Sequence, residues 1–209
     1  AHEVRNPLTA IRLDMQMVEE QLEGFPDLRE AQRRALEEIV RLDETVGRGL
    51  DAARKGQLGV RRVALAEPLE AAIHAATPAF SEVGASLEAP IRDWPPAEIR
   101  GEPGSLEQLF LNILLNAAQA LESGGTARVD LDLEPEQAVV SVIDNGPGIP
   151  HEVLDRIFEP FFSTHPEGTG LGMSIAQRIA TAHGGSIEVG SPAAGGTVVK
   201  VRLPRIGTP

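Results

Sequence analysis

The sequence predicts an α-helical hairpin followed by an α/β sandwich, one sheet covered by helices on one face. Three observations lead there. Apolar residues in the first quarter of the chain recur in heptads on both sides of a turn. Beyond residue 59, helical stretches are mixed with short β-like runs. Glycine-rich loops punctuate this second region, and one of them leads directly into a helix.

The first seam is Val4, Leu8, Ile11, Met15, Val18 and Leu22, spaced alternately four and three apart, the pattern of helices packed at shallow angles. "GFPD" (24–27) then breaks the helix, with Gly24 and Pro26 as punctuation and Asp27 placed to cap a second helix. The second seam has Leu28, Ala35 and Leu42 at one heptad position and Ile39, Val46 and Ala53 at the other. Two such helices make an antiparallel hairpin. Alone they cannot bury both apolar faces, whereas two copies can, as a four-helix bundle, so a homodimer is expected. The alternative is that the hairpin packs on the rest of its own chain. "KGQLG" (55–59) reads as a linker, giving a hairpin domain at 1–55 and a second domain at 56–209.

In the second domain a strand is expected near 60–65, a helix at 66–83, a strand near 86–91 and then the proline-rich "DWPPAEIRG" (93–101). "PGSLEQLFLNILLNAAQALES" (103–123) is an apolar helix with Ser105 near its start. Two β-like runs come next at 126–134 and 137–145, then a short helix at 151–157 and a long one at 171–183. "GSIEVGS" and "GTVVKVRLP" close the domain as a hairpin. Strands and helices mixed in this way, with antiparallel ribbons, indicate the sandwich.

The chain has 209 residues, 42% of them hydrophobic, and a formal charge of -12. Residues 1–55 carry 9 basic and 12 acidic groups and the remainder 10 and 19, so both parts are acidic. That excludes a general nucleic-acid binder, because phosphates attract the opposite sign. With no cysteine, neither a disulfide framework nor a thiolate metal site can form. No apolar run approaches the roughly 20 residues that cross a bilayer, and no signal peptide is visible. A soluble, cytoplasmic chain without membrane contact is expected, compatible with a membrane-anchored parent.

Chemistry concentrates in three places. Asn112 and Asn116, four apart on an otherwise apolar helix, share one face. They are either a satisfied pair of structural amides or the lining of a polar pocket able to hold a hydrated cation through oxygen. "VIDNGPGIP" (142–150) places Asp144 at a strand end, with Gly146 and Gly148 letting the backbone turn and approach a ligand. A buried carboxylate there can accept a hydrogen bond from an exocyclic amine; the bland reading is a common Asn-Gly turn. In "EGTGLGMSIAQRIATAHGG" (167–185), Gly168, Gly170 and Gly172 lead into a helix, offering backbone N–H groups to phosphate.

Together these segments resemble the ATP-binding fold shared by sensor histidine kinases, type II topoisomerases and Hsp90 chaperones, most closely the histidine kinases. "LEQLFLNILLNAAQAL" resembles their asparagine box, "DNGPGIP" their first glycine box, "IFEPFFST" their phenylalanine box and "GTGLGMSIA" their second glycine box. "HEVRNPLTAI" is similar to their phosphoacceptor box, and "GGTVVKVRLP" to their closing strand, with Thr197 at the threonine position. The resemblance spans essentially the whole chain, in family order. It implies a dimerisation and phosphotransfer hairpin followed by a catalytic domain of the histidine kinase/Hsp90 ATPase type. It also implies ATP and Mg²⁺ as cofactors, and the receiver domain of a response regulator as partner.

By that resemblance His2 accepts the γ-phosphoryl group. The family's first helix normally extends further upstream, so a fragment is expected. Asp144 would read the adenine amine. Asn116 would help hold Mg²⁺, and Asn112 would support the same wall. Gly168, Thr169, Gly170, Leu171 and Gly172 would cradle phosphate. Residues 149–168 would form a lid anchored through Phe158, Phe161 and Phe162 on the core or the bundle. Glu3, next to His2, is placed to fix the imidazole tautomer. Asn6, one turn on, would align water for dephosphorylating the regulator.

Two positions qualify this pattern. Topoisomerases and chaperones carry a water-activating glutamate where this chain has Asn112, so hydrolysis should be slow. The lid often reads Ser-Thr-Lys-Pro in similar kinases, whereas here it reads "STHP", and His165 replaces a permanent cation with one that titrates near neutrality. Against a kinase stand two other functions. A non-catalytic nucleotide-binding signalling scaffold is disfavoured by the intact His2, Asn116 and Asp144. A chaperone-like ATPase is disfavoured by Asn112 and the hairpin.

Overall fold

The structure, a computed structural model, describes residues 61–90, 93–164, 170–192 and 195–206. The chain divides into two compact units, Ala1–Leu58 and Gly59–Pro209. The expected helical hairpin, with His2, Glu3 and Asn6, lies outside the described residues. The described elements all belong to the second unit.

They are β1 (Arg61–Ala64), α1 (Ala66–Glu82), β2 (Ser86–Glu88), β3 (Glu98–Gly101), α2 (Pro103–Ala120), β4 (Thr126–Leu133), β5 (Gln137–Asp144), a 3-10 helix (His151–Arg156), α3 (Gly172–Ala182), β6 (Ser186–Gly190) and β7 (Thr197–Pro204). Five strands form one sheet in the order β2-β4-β5-β7-β6. Only the β2–β4 pair is parallel; the others are antiparallel.

Alternation builds the sheet. Val129, Leu131, Val140, Val142, Val199, Val201 and Leu203 are buried, on the face where the period-two pattern aims them together. The opposite face carries Arg128 bonded to Asp130 at 2.6 Å and Arg202 bridging Glu134 at 2.7 Å and Glu188 at 3.3 Å. The hydrogen bond and charge of Glu134 hold the Arg202 proton more tightly than usual. One face is therefore a core and the other largely a charged surface, as the sandwich requires.

Helices cover the apolar face. α1 buries Leu69, Ala72, Ile73, Ala76 and Phe80, a stripe at helical spacing. α2 buries Leu106, Leu109, Phe110, Ile113, Leu114, Ala117 and Ala118, and packs against both α1 and α3. Its first turn is capped by Glu102, whose carboxylate accepts from the Gly104 N–H at 3.1 Å and the Ser105 N–H at 2.6 Å. That fills the need left by unpaired N–H groups at a helix start.

Two expectations are corrected by the structure. The strand near 86–91 stops at Glu88, because Ala89 runs into Pro90, which has no N–H for a ladder. The proline-rich segment contains β3, which pairs antiparallel with β1 as a separate two-stranded ribbon. Ile99, 1% exposed, anchors it in the core.

His183, at the end of α3, ties that helix to the start of α2. Its Nε2 accepts from the Glu102 N–H at 3.2 Å, and its Nδ1 lies 2.8 Å from the Ile179 carbonyl. A backbone N–H can only donate, so Nε2 accepts from Glu102 and Nδ1 is the nitrogen placed to donate to the Ile179 carbonyl. A Cβ at Gly101 would stand 2.8 Å from the ring, so the ribbon leaves that space for the imidazole. His183→Ala is expected to lower unfolding free energy by roughly 2 kcal/mol, the cost of orphaning partly buried partners. Urea denaturation checks this; an unchanged midpoint would remove the clamp.

Candidate nucleotide-binding site

Asp144 is the last residue of β5 and lies opposite Thr197 in the ladder to β7. It is 7% exposed. Its Oδ1 accepts two backbone N–H groups, from Gly146 at 2.9 Å and Thr197 at 3.0 Å. Both hydrogen bonds fall on one oxygen. Oδ2 carries none among the described residues. The carboxylate is thus fixed in direction by two loops, with one oxygen left to recognise a donor.

The loop after β5 turns at once. The Gly146 carbonyl accepts from the Gly196 N–H at 2.9 Å, stitching it to the β6–β7 turn. Gly148 has φ +79, a left-handed conformation that side chains rarely adopt, and a Cβ there would collide with the Ser191 hydroxyl. Asn145 is part of the scaffold: its Oδ1 accepts from the Thr126 N–H at 2.8 Å, and its own N–H donates to the Thr126 carbonyl at 3.1 Å. The Asn-Gly turn and the buried carboxylate are therefore both present, one beside the other.

Asn112 and Asn116 are half-buried on α2. Among the described residues, the Asn112 Nδ2 is buried without a hydrogen-bond partner. That excludes a mutually satisfied structural pair. The Asn116 carboxamide lies against the start of α3, its Oδ1 3.2 Å from where a Cβ on Gly172 would stand. Among the described residues it makes no hydrogen bond. An oxygen donor without a protein partner, beside a helix N-terminus whose free N–H groups favour anions, is a donor set that suits a hydrated divalent cation together with phosphate.

Of the second glycine segment, Gly170, Leu171 and Gly172 are described; His165, Gly168 and Thr169 lie outside the described residues. Leu171 is 2% exposed, so its side chain serves the core and only its backbone is available to a ligand. Gly170, at φ +63, packs directly on the backbone of Phe161 and Phe162, and its carbonyl accepts from the Phe161 N–H at 3.0 Å. The two ends of the 161–170 segment are thereby latched together.

The three phenylalanines separate. Phe158 packs against the core. Phe162 is half-buried under the Arg156 guanidinium, 4.3 Å from the ring centroid. Phe161 does not anchor on the core of its own unit. It is 37% exposed, with φ 67, because the latch to Gly170 turns the chain there and points the ring outward.

Gly196 lies within the "GGTVVKVRLP" motif, where the resemblance gives a role only to Thr197, yet its backbone lies against Asp144. A Cβ on it would overlap the Asp144 carbonyl, so the backbone can approach Asp144 only because the side chain is missing. The paired glycines ahead of Thr197 are the visible trace of that requirement.

The fold and this arrangement define an ATPase-type nucleotide-binding domain. Residues 101–206 match the family described as Histidine kinase-, DNA gyrase B-, and HSP90-like ATPase. Residues 1–58 match the His Kinase A (phospho-acceptor) domain. The chain belongs to the sensor histidine kinases of two-component systems.

Sporulation kinase C of Bacillus subtilis is 32% identical over 98% of this chain and 47% of the relative. The signal transduction histidine-protein kinase AtoS of Escherichia coli is 34% identical over 98% of this chain and 33% of the relative. The chain thus spans between a third and a half of these relatives. Among solved structures, the mycobacterial sensor histidine kinase MprB superposes with TM-score 0.61 at 28% identity, covering 71% of this chain and 100% of that one. Full-length ShkA in complex with AMPPNP gives 0.63 at 27% identity, covering 99% of this chain and 45% of that one. No helix among the described residues is long and apolar enough to cross a membrane.

Proposed function

We propose that this chain is the catalytic core of a sensor histidine kinase. It moves the γ-phosphoryl group of ATP to His2 and then to an aspartate of a response-regulator receiver domain, acting as a homodimer in the cytoplasm. The observation that carries this reading is Asp144, a buried carboxylate with one oxygen tied to two loop amides and the other without a partner among the described residues. ShkA, a similar solved structure, is a complex with AMPPNP, which supports nucleotide binding by this fold. In domain terms, residues 1–55 are the dimerisation and phosphotransfer part and 56–209 the catalytic part.

In this reading Asp144 accepts the adenine amine, while Gly146, Gly148 and Thr197 keep its loops close enough to enclose the base. Gly168, Thr169, Gly170, Leu171 and Gly172 present backbone N–H groups to the phosphates at the head of α3. Asn116, with Asn112 beside it, is the residue that would hold Mg²⁺, which when bound neutralises phosphate charge. Phe158 seats the lid on the core, and His165 lies within the same segment. Catalysis of phosphoryl transfer is mainly positioning and charge neutralisation.

A ring nitrogen of neutral His2 attacks the γ-phosphorus. The N–P bond forms as the bond to the β–γ bridging oxygen breaks, and ADP leaves with that electron pair. Glu3 takes the proton from the other ring nitrogen. Because Asn112 cannot act as a general base, water is a poor competitor for ATP. Incubation with γ-labelled ATP tests the proposal. Acid-labile, base-stable label on the protein is expected, and rapid release of free phosphate would overturn it.

Asn6 serves the opposing activity, hydrolysis of the regulator's phosphoaspartate. A residue four positions on lies about 6 Å along the helix axis from His2, on the same face. An amide there can hold water in line with a regulator's phosphoaspartate without being consumed. Asn6→Ala is expected to keep autophosphorylation within about two-fold, since alanine is the better helix former, and to lose regulator dephosphorylation. Equal loss of both rates with a lower melting temperature would mean that Asn6 only satisfies backbone groups near Pro7.

A further inference from the structure

Ser191 sits in the β6–β7 connection, outside the asparagine, glycine and phenylalanine boxes. Its hydroxyl accepts from the Ile149 N–H at 3.1 Å and donates to the Gly196 carbonyl at 3.0 Å. It occupies the notch left by the missing side chain of Gly148. Beyond Ser191, the links between the two loops among the described residues are Gly196 N–H to the Gly146 carbonyl at 2.9 Å and Thr197 N–H to Asp144 Oδ1 at 3.0 Å. Among the described residues, Ser191 and Asp144 are thus the side chains that bridge this seam. Asp144 holds the strand end of the loop, and Ser191 holds its far end at Ile149.

From this geometry we infer that Ser191 is a positioning residue for nucleotide binding. It fixes Ile149, the far end of the base-side loop, and so keeps the base pocket in shape. The inference rests on the reading of Asp144 as the adenine-recognising group. Its physical basis is that a hydroxyl can serve both loops at once, accepting from one and donating to the other. Alanine leaves the Ile149 N–H and the Gly196 carbonyl without that partner and frees the loop to sample shapes that do not fit a purine. Ser191 does not touch the transferred phosphoryl group in this reading. Its loss should therefore weaken binding of substrate and transition state alike, which raises KM and spares kcat.

The experiment uses the 209-residue chain with Ser191→Ala and Ser191→Thr. It measures ADP affinity by calorimetry, KM and kcat with γ-labelled ATP, melting temperature, and amide hydrogen exchange at Ile149. Ser191→Ala should raise the Kd for ADP and the KM for ATP about ten-fold, near the upper end of what one net hydrogen bond contributes, lower kcat less than two-fold, and speed exchange at Ile149. Ser191→Thr, which keeps the hydroxyl, should recover most of the affinity and slow exchange again. Unchanged Kd in Ser191→Ala would overturn the inference. So would a fall in kcat and melting temperature with KM unchanged, the mark of a merely structural residue. If the unmodified chain itself fails to bind ADP, the pocket reading fails and takes this inference with it. If the unmodified chain binds ADP and Ser191→Ala binds it equally well, only the inference is lost.

Discussion

Asp144→Asn is expected to lower affinity for ATP on the order of 100-fold while leaving the fold intact. The substitution is nearly isosteric. The asparagine carbonyl oxygen can keep both backbone donors, Gly146 at 2.9 Å and Thr197 at 3.0 Å, so the seam between the two loops survives. What changes is the second oxygen, which becomes an NH₂ group. Facing the adenine amine, an acceptor is replaced by a donor and two donors oppose each other. A site built to hydrogen-bond a specific group discriminates strongly when that partner is inverted. The same change gives the site a donor toward the carbonyl of guanine, so the preference for adenine should also shrink. Calorimetry with ATP and GTP, alongside a melting curve, reads both effects. Normal ATP affinity would mean that Asp144 is only a turn cap and that the base binds elsewhere. A collapse in melting temperature would mean that the two loop hydrogen bonds require the charge.

The contrast between Asp144 and Ser191 shows what can be read from a sequence and what cannot. Asp144 announces itself because it ends a β-like run and is followed by Gly146 and Gly148, a local pattern. The apolar helix 103–120 and the alternating strands β4, β5 and β7 are legible for the same reason, since their periodicities lie within one segment. Ser191 acts on a residue 42 positions away, through the β5–β7 pairing, which no local pattern specifies. β3 is hidden in the same way: Glu98–Gly101 is four residues beside two prolines, and its partner β1 lies across α1. The outward turn of Phe161 likewise depends on the latch to Gly170. An aromatic residue in an apolar box reads as core until its backbone is seen.

The proposed pocket and the proposed acceptor fall in separate units of the chain, Gly59–Pro209 and Ala1–Leu58, and this separation makes the sharpest test possible. His2→Gln is expected to abolish stable autophosphorylation while changing the Kd for ATP by no more than a few-fold, because none of the groups proposed to contact nucleotide is altered. Glutamine is a good helix former, so the first seam from Val4 to Leu22 should persist and dimerisation should be kept. Its amide has no nucleophilic ring nitrogen, whereas neutral imidazole offers one lone pair for attack and one N–H from which a proton can leave. The label measured after γ-labelled ATP should therefore fall to background rather than by a fraction. The bland alternative is that His2 is a solvated residue near the first position and that another histidine, such as the exposed His74 or His151, accepts the phosphoryl group. Under that alternative the variant would keep acid-labile, base-stable label at near-normal rate. Retained label of that kind in His2→Gln, with ATP affinity unchanged, would move the acceptor elsewhere in the chain while leaving the nucleotide pocket where the Asp144 variant places it.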